Sequence, residues 1–240
     1  MRKRVALMVV SCFPVVSLAG ELAVKETNYG LGASYSTVDS GSPGTQNSYS
    51  VTGLSRFAIE DNVGMQLAAS IDKSYYKSNS YNSDVSGLWV SAGFFVRDYD
   101  IGSVNMGFSY GRMGYDSDLG SYVDSSYQSV SLSGTYYLDQ FELGTGVSQT
   151  DSSYALSEPS RSSHIVAGYY INDNLKLSAT VAGLDSSGRS LNIIFQPAIL
   201  NNQWSISGTL TNGQAYDRYS ISLGYYFDTK VSLMDRNRRY

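Results

Sequence analysis

Cysteine is all but missing: the 240 residues hold one, Cys12, inside an N-terminal apolar run. That excludes a disulfide framework, a paired-thiol redox centre and a thiolate zinc site. Histidine is as scarce, with His164 alone, so histidine-based metal and acid–base constellations have almost nothing to build with. Basic residues number 17 against 21 acidic ones and never cluster enough to suit nucleic acid. No glycine-rich cradle joins a strand to a helix, which removes nucleotide binding. Beyond the N-terminal run, no apolar stretch approaches the roughly 20 residues of a membrane-crossing helix. If this chain enters a membrane, it does so as strands.

What is present begins with a leader. Arg2, Lys3 and Arg4 precede an apolar run over residues 5–16, and Ser17 and Ala19 stand at the −3 and −1 positions of a cleavage site. This predicts a secretory signal peptide over 1–19. Cleavage removes Cys12 and leaves 14 basic residues against 21 acidic, a net charge of −7. The expected mature chain from residue 20 therefore carries no thiol chemistry.

From there a period of two dominates. Phe141, Leu143, Thr145 and Val147 alternate with Glu142, Gly144, Gly146 and Ser148, and Tyr219, Ile221, Leu223 and Tyr225 alternate with Ser220, Ser222, Gly224 and Tyr226. One face is greasy and the other is small and polar. Such runs predict about twelve strands, with ten to fourteen compatible with the pattern: 27–38, 48–59, 63–73, 85–97, 101–112, 126–138, 141–151, 163–172, 175–184, 189–199, 204–211 and 218–228. Their lengths suit the roughly 9–11 residues of a tilted strand crossing hydrocarbon. Tight turns near 60–62, 98–100, 139–140, 172–174 and 201–203 alternate with longer Ser/Asn/Asp/Gly/Tyr-rich links. The predicted fold is all-β, a transmembrane up-and-down antiparallel barrel over 20–228 followed by a polar periplasmic tail over 229–240.

Aromatic doublets recur beside the tight turns, as in "FFVRDYDIG", "YYLDQFELG", "YYINDNLKL" and "YYFDTKVSL". Phe57, Phe94, Phe95, Tyr136, Tyr137, Tyr169, Tyr170, Tyr225 and Phe227 are the expected girdle at one membrane interface, with one partner of each doublet facing lipid and the other facing inward or packing at the rim. With these features in view the chain resembles bacterial outer-membrane β-barrel proteins in general. The final strand "YSISLGYYF", with its Ser222-x-Gly224-x-x-Phe227 spacing, is similar to the signal read by the barrel-assembly machinery. The resemblance implies an outer-membrane location with both termini periplasmic, and lipid and lipopolysaccharide around the wall. The family's signal ordinarily ends the chain, whereas here "DTKVSLMDRNRRY" follows, expected as a disordered basic end.

Alternation assigns the inner wall. Arg56, Gln66, Asp72, Trp89, Arg97, Asn105, Tyr127, Glu142 and Lys176 are the pore-lining candidates among many serines and glycines. Charge-selective pores use rings of one sign, and no such ring is visible. The leading expectation is a porin-like channel for passive diffusion of small hydrophilic solutes, without a cofactor. Trp89 with Phe95, or Tyr127 with Tyr137, are the expected constriction. A second reading is a surface adhesin or structural barrel using Tyr75, Tyr76, Tyr81, Tyr115, Tyr122, Tyr154 and Tyr216 in outer loops. A third is a lipid hydrolase built on Ser162 and His164, which share a strand face, with Glu158 just before them. Asp116, Asp118 and Asp124 fall in one expected loop and could hold a divalent cation. Oligomeric state is left open by the sequence.

Overall fold

The computed structural model describes residues 27–39, 44–60, 62–78, 82–117, 123–153, 158–184, 188–213, 216–227 and 230–238. The expected leader, 1–19, lies outside them. Twelve strands form one closed antiparallel barrel: β1 Asn28–Asp39, β2 Gly44–Glu60, β3 Val63–Ser78, β4 Asn82–Asp98, β5 Gly102–Ser117, β6 Val123–Leu138, β7 Phe141–Ser152, β8 Ser160–Asn172, β9 Leu175–Leu184, β10 Gly188–Phe195, β11 Trp204–Gly213 and β12 Asp217–Phe227. Each strand pairs with its neighbours in sequence, and β12 closes on β1 with Tyr29 opposite Phe227 and Asp39 opposite Asp217. Closure leaves no sheet edge, as a lipid environment without backbone partners requires. No helix among the described residues is long and apolar enough to cross a membrane.

The burial pattern is that of a soluble protein turned inside out. Ile71 is 66% exposed and Leu132 52%, and Leu31, Val104, Met106, Leu143, Ile165, Leu191 and Ile221 are likewise exposed on the outer face. The inner face buries Thr52, Ser70, Asp72, Ser103, Ser129, Ser205 and Ser207. Apolar surface of this extent is stable only against lipid. Outward aromatics bound the band at both levels. On β2 Phe57 and Tyr49 stand eight residues apart in sequence, about 26 Å along a strand and roughly 20 Å of height at the usual tilt of a barrel strand. Tyr35, Tyr49 and Tyr75 form the upper cluster, with ring centroids 5.1 and 6.3 Å apart.

Connections at one end, called the turn end, are tight. In the β4–β5 turn the Asp98 carboxylate accepts the amide hydrogens of Asp100 at 2.9 Å and Ile101 at 3.0 Å, a local pairing available to a short acidic side chain. Gly102 follows at φ +151°, where an added Cβ would collide with the Thr135 carbonyl, so glycine is required. The β8–β9 turn repeats the device, with Asn172 accepting from the Asn174 amide at 2.9 Å.

Strand boundaries differ from expectation in two ways. The links expected as longer loops are largely strand: β3 runs to Ser78, β4 starts at Asn82, β5 runs to Ser117 and β6 starts at Val123. Serine and tyrosine extend a ladder whose partner already supplies the backbone hydrogen bonds, and composition alone does not reveal that partner. Strands β2–β6 thus reach 16 or 17 residues while β10 has eight. The wall is tall on one side and low on the other. In the other direction, β10 stops at Phe195 rather than near 199, because Pro197 offers no ladder hydrogen; a 3-10 turn over Ala198–Leu200 leads into β11.

Candidate pore and its closure at the turn end

All nine pore-lining candidates stand on inward positions of the observed register. Asp72, Trp89 and Tyr127 belong to the upper half, where the Trp89 and Tyr127 rings lie 5.8 Å apart. Trp89 covers Gly111, and any Cβ there would strike the indole. Between this pair and the turn end the inner wall is mostly hydroxyl and glycine. Serines face one another across neighbouring strands, as Ser34 with Ser50 at 2.6 Å and Ser148 with Ser162 at 2.7 Å. Arg56, Gln66, Arg97, Asn105, Glu142 and Lys176 lie towards the turn end.

At the turn-end mouth, large inward side chains and a C-terminal helix are packed together. Each aromatic doublet divides its labour: Phe94, Tyr136, Tyr169 and Tyr225 face outward, while Phe95, Tyr137, Tyr170 and Tyr226 point inward and are buried. Phe95, Tyr137 and Tyr170, grouped with the girdle from sequence, thus lie on the inner wall at the mouth. Glu142 pairs with Lys176 and accepts the Tyr170 hydroxyl hydrogen at 3.2 Å, while Lys176 lies over the Tyr170 ring. Replacing Glu142 by glutamine removes the charge that balances Lys176 in a nearly dry site. The expected cost is about 1–2 kcal/mol of barrel stability, read as a lower urea midpoint with the folded band still formed on unheated gels.

Against these side chains packs a helix, α1, Leu233–Arg238, from the segment expected as a disordered basic end. Ser232 caps it: its hydroxyl oxygen accepts from the Asp235 amide at 3.1 Å and its hydrogen goes to the Asp235 carboxylate at 3.0 Å. Six residues do not hold a helix in water, so docking holds this one. Leu233, 1% exposed, packs with Tyr170 and Ile194. The Met234 amide donates to the Asp173 carbonyl at 2.8 Å and the Leu233 amide to Asn174 at 3.2 Å. Arg236 is fully buried, its guanidinium 3.7 Å from the Tyr226 ring centroid; Nε donates to Gln196 Oε1 at 3.2 Å and Nη2 to the Asn202 carbonyl at 2.7 Å. Desolvation pushes its pKa down to about 10, with Tyr226 acting the other way, and it remains a cation at neutral pH. Asn237 donates to the Tyr170 hydroxyl and accepts from Tyr137 at 3.3 Å, and Arg238 donates to the Asp139 and Phe141 carbonyls.

Sequence reasoning named neither this helix nor its receptors Ile194, Gln196 and Tyr226. The available signal was "SLMDRNRR", a capping serine followed by two apolar and then basic residues. The remaining candidates are dispersed. Ser162 and His164 share the inner face, yet Ser162 bonds to Ser148 and the His164 ring rests beside Gly146, so the two are not joined as base and nucleophile. Asp116 and Asp124 stand on strands, Asp124 paired with Arg112 at 2.5 Å; Asp118 lies outside the described residues, among which no acidic or histidine cluster could hold a metal. Tyr75, Tyr76 and Tyr115 belong to strands rather than loops, Tyr216 precedes β12, and Tyr81, Tyr122 and Tyr154 are outside the described residues.

No protein-family model matches the sequence, and no curated protein matches it. Solved structures do match in fold. The translocator domain of the autotransporter NalP from Neisseria meningitidis superposes with a TM-score of 0.69 at 14% identity, covering 90% of this chain and 93% of that one. An outer-membrane channel from Pseudomonas putida F1 gives 0.70 at 10% identity, covering 86% and 97%. The KdgM porin gives 0.54 at 10% identity, covering 81% and 98%. The closed twelve-strand wall with its outward apolar face, together with these likenesses, defines the class by its fold: a β-barrel of the kind that outer-membrane proteins have.

Proposed function

We propose that the protein is a channel for passive diffusion of small hydrophilic solutes, weakly charge-selective, with the turn end and both termini in the periplasm and the C-terminal helix as its resident closure. The observation that carries this reading is the inner wall: hydroxyl and glycine positions through the middle of the barrel, with the inward Trp89–Tyr127 pair above them and α1 docked at the turn end. Hydroxyls hydrogen-bond water and neutral solutes without selecting a charge, and small side chains leave room for both. Glu142 and Lys176 offset each other's charge on the inner wall. A bundled tail at the mouth is what a closable pore requires and a solid structural barrel does not.

The test is permeation. Liposomes carrying the chain from residue 20 without 230–240 should swell in isosmotic small sugars and show a reversal potential near zero under a salt gradient. A correctly inserted barrel that passes neither sugar nor ion would overturn the channel reading. One observation favours recognition as a second role: β2–β6 continue above the Tyr49–Tyr75 rim, and β5 and β6 carry the Arg112–Asp124 pair there on their outer faces. Shortening the β3–β4 and β5–β6 hairpins should leave permeation intact, and would abolish surface binding if that role exists.

A further inference from the structure

We propose that the turn-end mouth is a recognition site for guanidinium groups, filled in this structure by the chain's own Arg236 and Arg238. A guanidinium-bearing ligand then competes with the tail and releases it. Opening of the lumen as the consequence rests on the channel reading; the site itself does not.

The aromatic faces and the oxygen acceptors belong to the barrel and its turns, and the guanidinium groups come from the tail. The first subsite is the Tyr226 face with two oxygen acceptors, Gln196 Oε1 and the Asn202 carbonyl. Gln196 is fully buried, and its amide nitrogen is committed to the Val231 carbonyl at 2.6 Å and to that of Asn202. Its oxygen is therefore turned to the guanidinium. The second subsite lies between Tyr137 and Tyr170, whose centroids are 5.0 and 5.7 Å from the Arg238 guanidinium carbon. Its acceptors are the carbonyls of Asp139, itself in the left-handed region at φ 52°, and Phe141. Both subsites thus turn an aromatic face and oxygen acceptors to the guanidinium. That set suits a planar cation with several in-plane hydrogens; an ammonium lacks the flat face that stacks on a ring and the fixed fork of in-plane donors.

The charged neighbours are Lys176, which is paired with Glu142 and also lies over the Tyr170 ring, and the inward Arg56 and Arg97 of β2 and β4 at the same end. The tail is also an imperfect occupant. Arg236 is docked at the expense of its hydration, Arg238 Nε and Asn237 Oδ1 are buried without a hydrogen-bond partner among the described residues, and the helix is too short to persist alone. A small competitor can satisfy the same acceptors without ordering a helix.

The test follows hydrogen exchange of the full chain, folded in detergent, by mass spectrometry. Free arginine should speed exchange of residues 230–240 about tenfold while the strands stay protected; lysine at matched ionic strength should not. The double variant Arg236→Lys/Arg238→Lys should exchange about tenfold faster in this segment without ligand, and the unchanged strands certify its fold. An Arg-Asn-Arg peptide acting at lower concentration than arginine assigns a polypeptide source, and equal potency assigns a small solute. Acceleration by arginine and lysine alike, or by neither, overturns the site. Conductance of the same samples separates the two proposals: a selective exchange response in a barrel that never conducts keeps the site and sinks the channel, while permeation without that response does the reverse.

Discussion

Removing residues 230–240 is expected to turn a barrel that conducts rarely into one that conducts continuously. Burial of Leu233 contributes about 2 kcal/mol, and the desolvated contact of Arg236 with Tyr226 about 2 more. The hydrogen bonds of α1 are of the size needed to offset most of the roughly 1–2 kcal/mol per residue that ordering the tail costs. A net latch of about 3 kcal/mol holds the mouth open about one part in a hundred, so truncation should raise the open fraction about a hundredfold. The barrel should not suffer, because the β1–β12 seam pairs from Tyr29–Phe227 to Asp39–Asp217 without the tail. Single-channel recording in planar bilayers reads the difference directly. Equal open fractions in the full and shortened chains would show that α1 does not obstruct the lumen.

The second large effect separates the two faces of one strand. Leu132 and Ser131 are adjacent on β6, midway between Tyr136 at the lower rim and the strand's outer end, and point to opposite sides of the wall. Leu132→Arg places a cation near the middle of the lipid band and should cost about 2–4 kcal/mol, seen as a lower urea midpoint and less heat-modifiable folded protein on gels. Ser131→Arg meets water and should fold normally. In the chain lacking 230–240 it should instead lower conductance and tilt selectivity towards anions. If both variants fold equally well, the outward face of β6 does not contact lipid.

Legibility from sequence followed the range of the physics. Alternation is a local property: once the chain is extended, successive side chains must point to opposite sides, so Leu132 outward and Ser131 inward could be read before any pairing was known. The same holds for Asp72, Trp89 and Glu142 on the inner wall. Strand ends were less legible. Whether "YYKS" in β3 is loop or ladder depends on a partner, here Asp84 opposite Tyr75 and Asn82 opposite Lys77, and pairing extends over polar residues because backbone hydrogen bonds do not read side chains.

The C-terminal segment marks the limit. Its composition, three arginines and a lysine among polar residues, is that of a solvated end, and its intrinsic helicity is too weak to predict a six-residue helix. Its receptors are scattered along the chain at Tyr137, Asp139, Phe141, Tyr170, Gln196, Asn202 and Tyr226, and become neighbours only when the strands close into a ring. A two-residue period thus carried the wall, the number of its strands and the character of each face, because those depend on extended backbone and on solvent against lipid. The docked helix depends on contacts between residues as far as a hundred positions apart, and such contacts exist only after closure has brought the turns together.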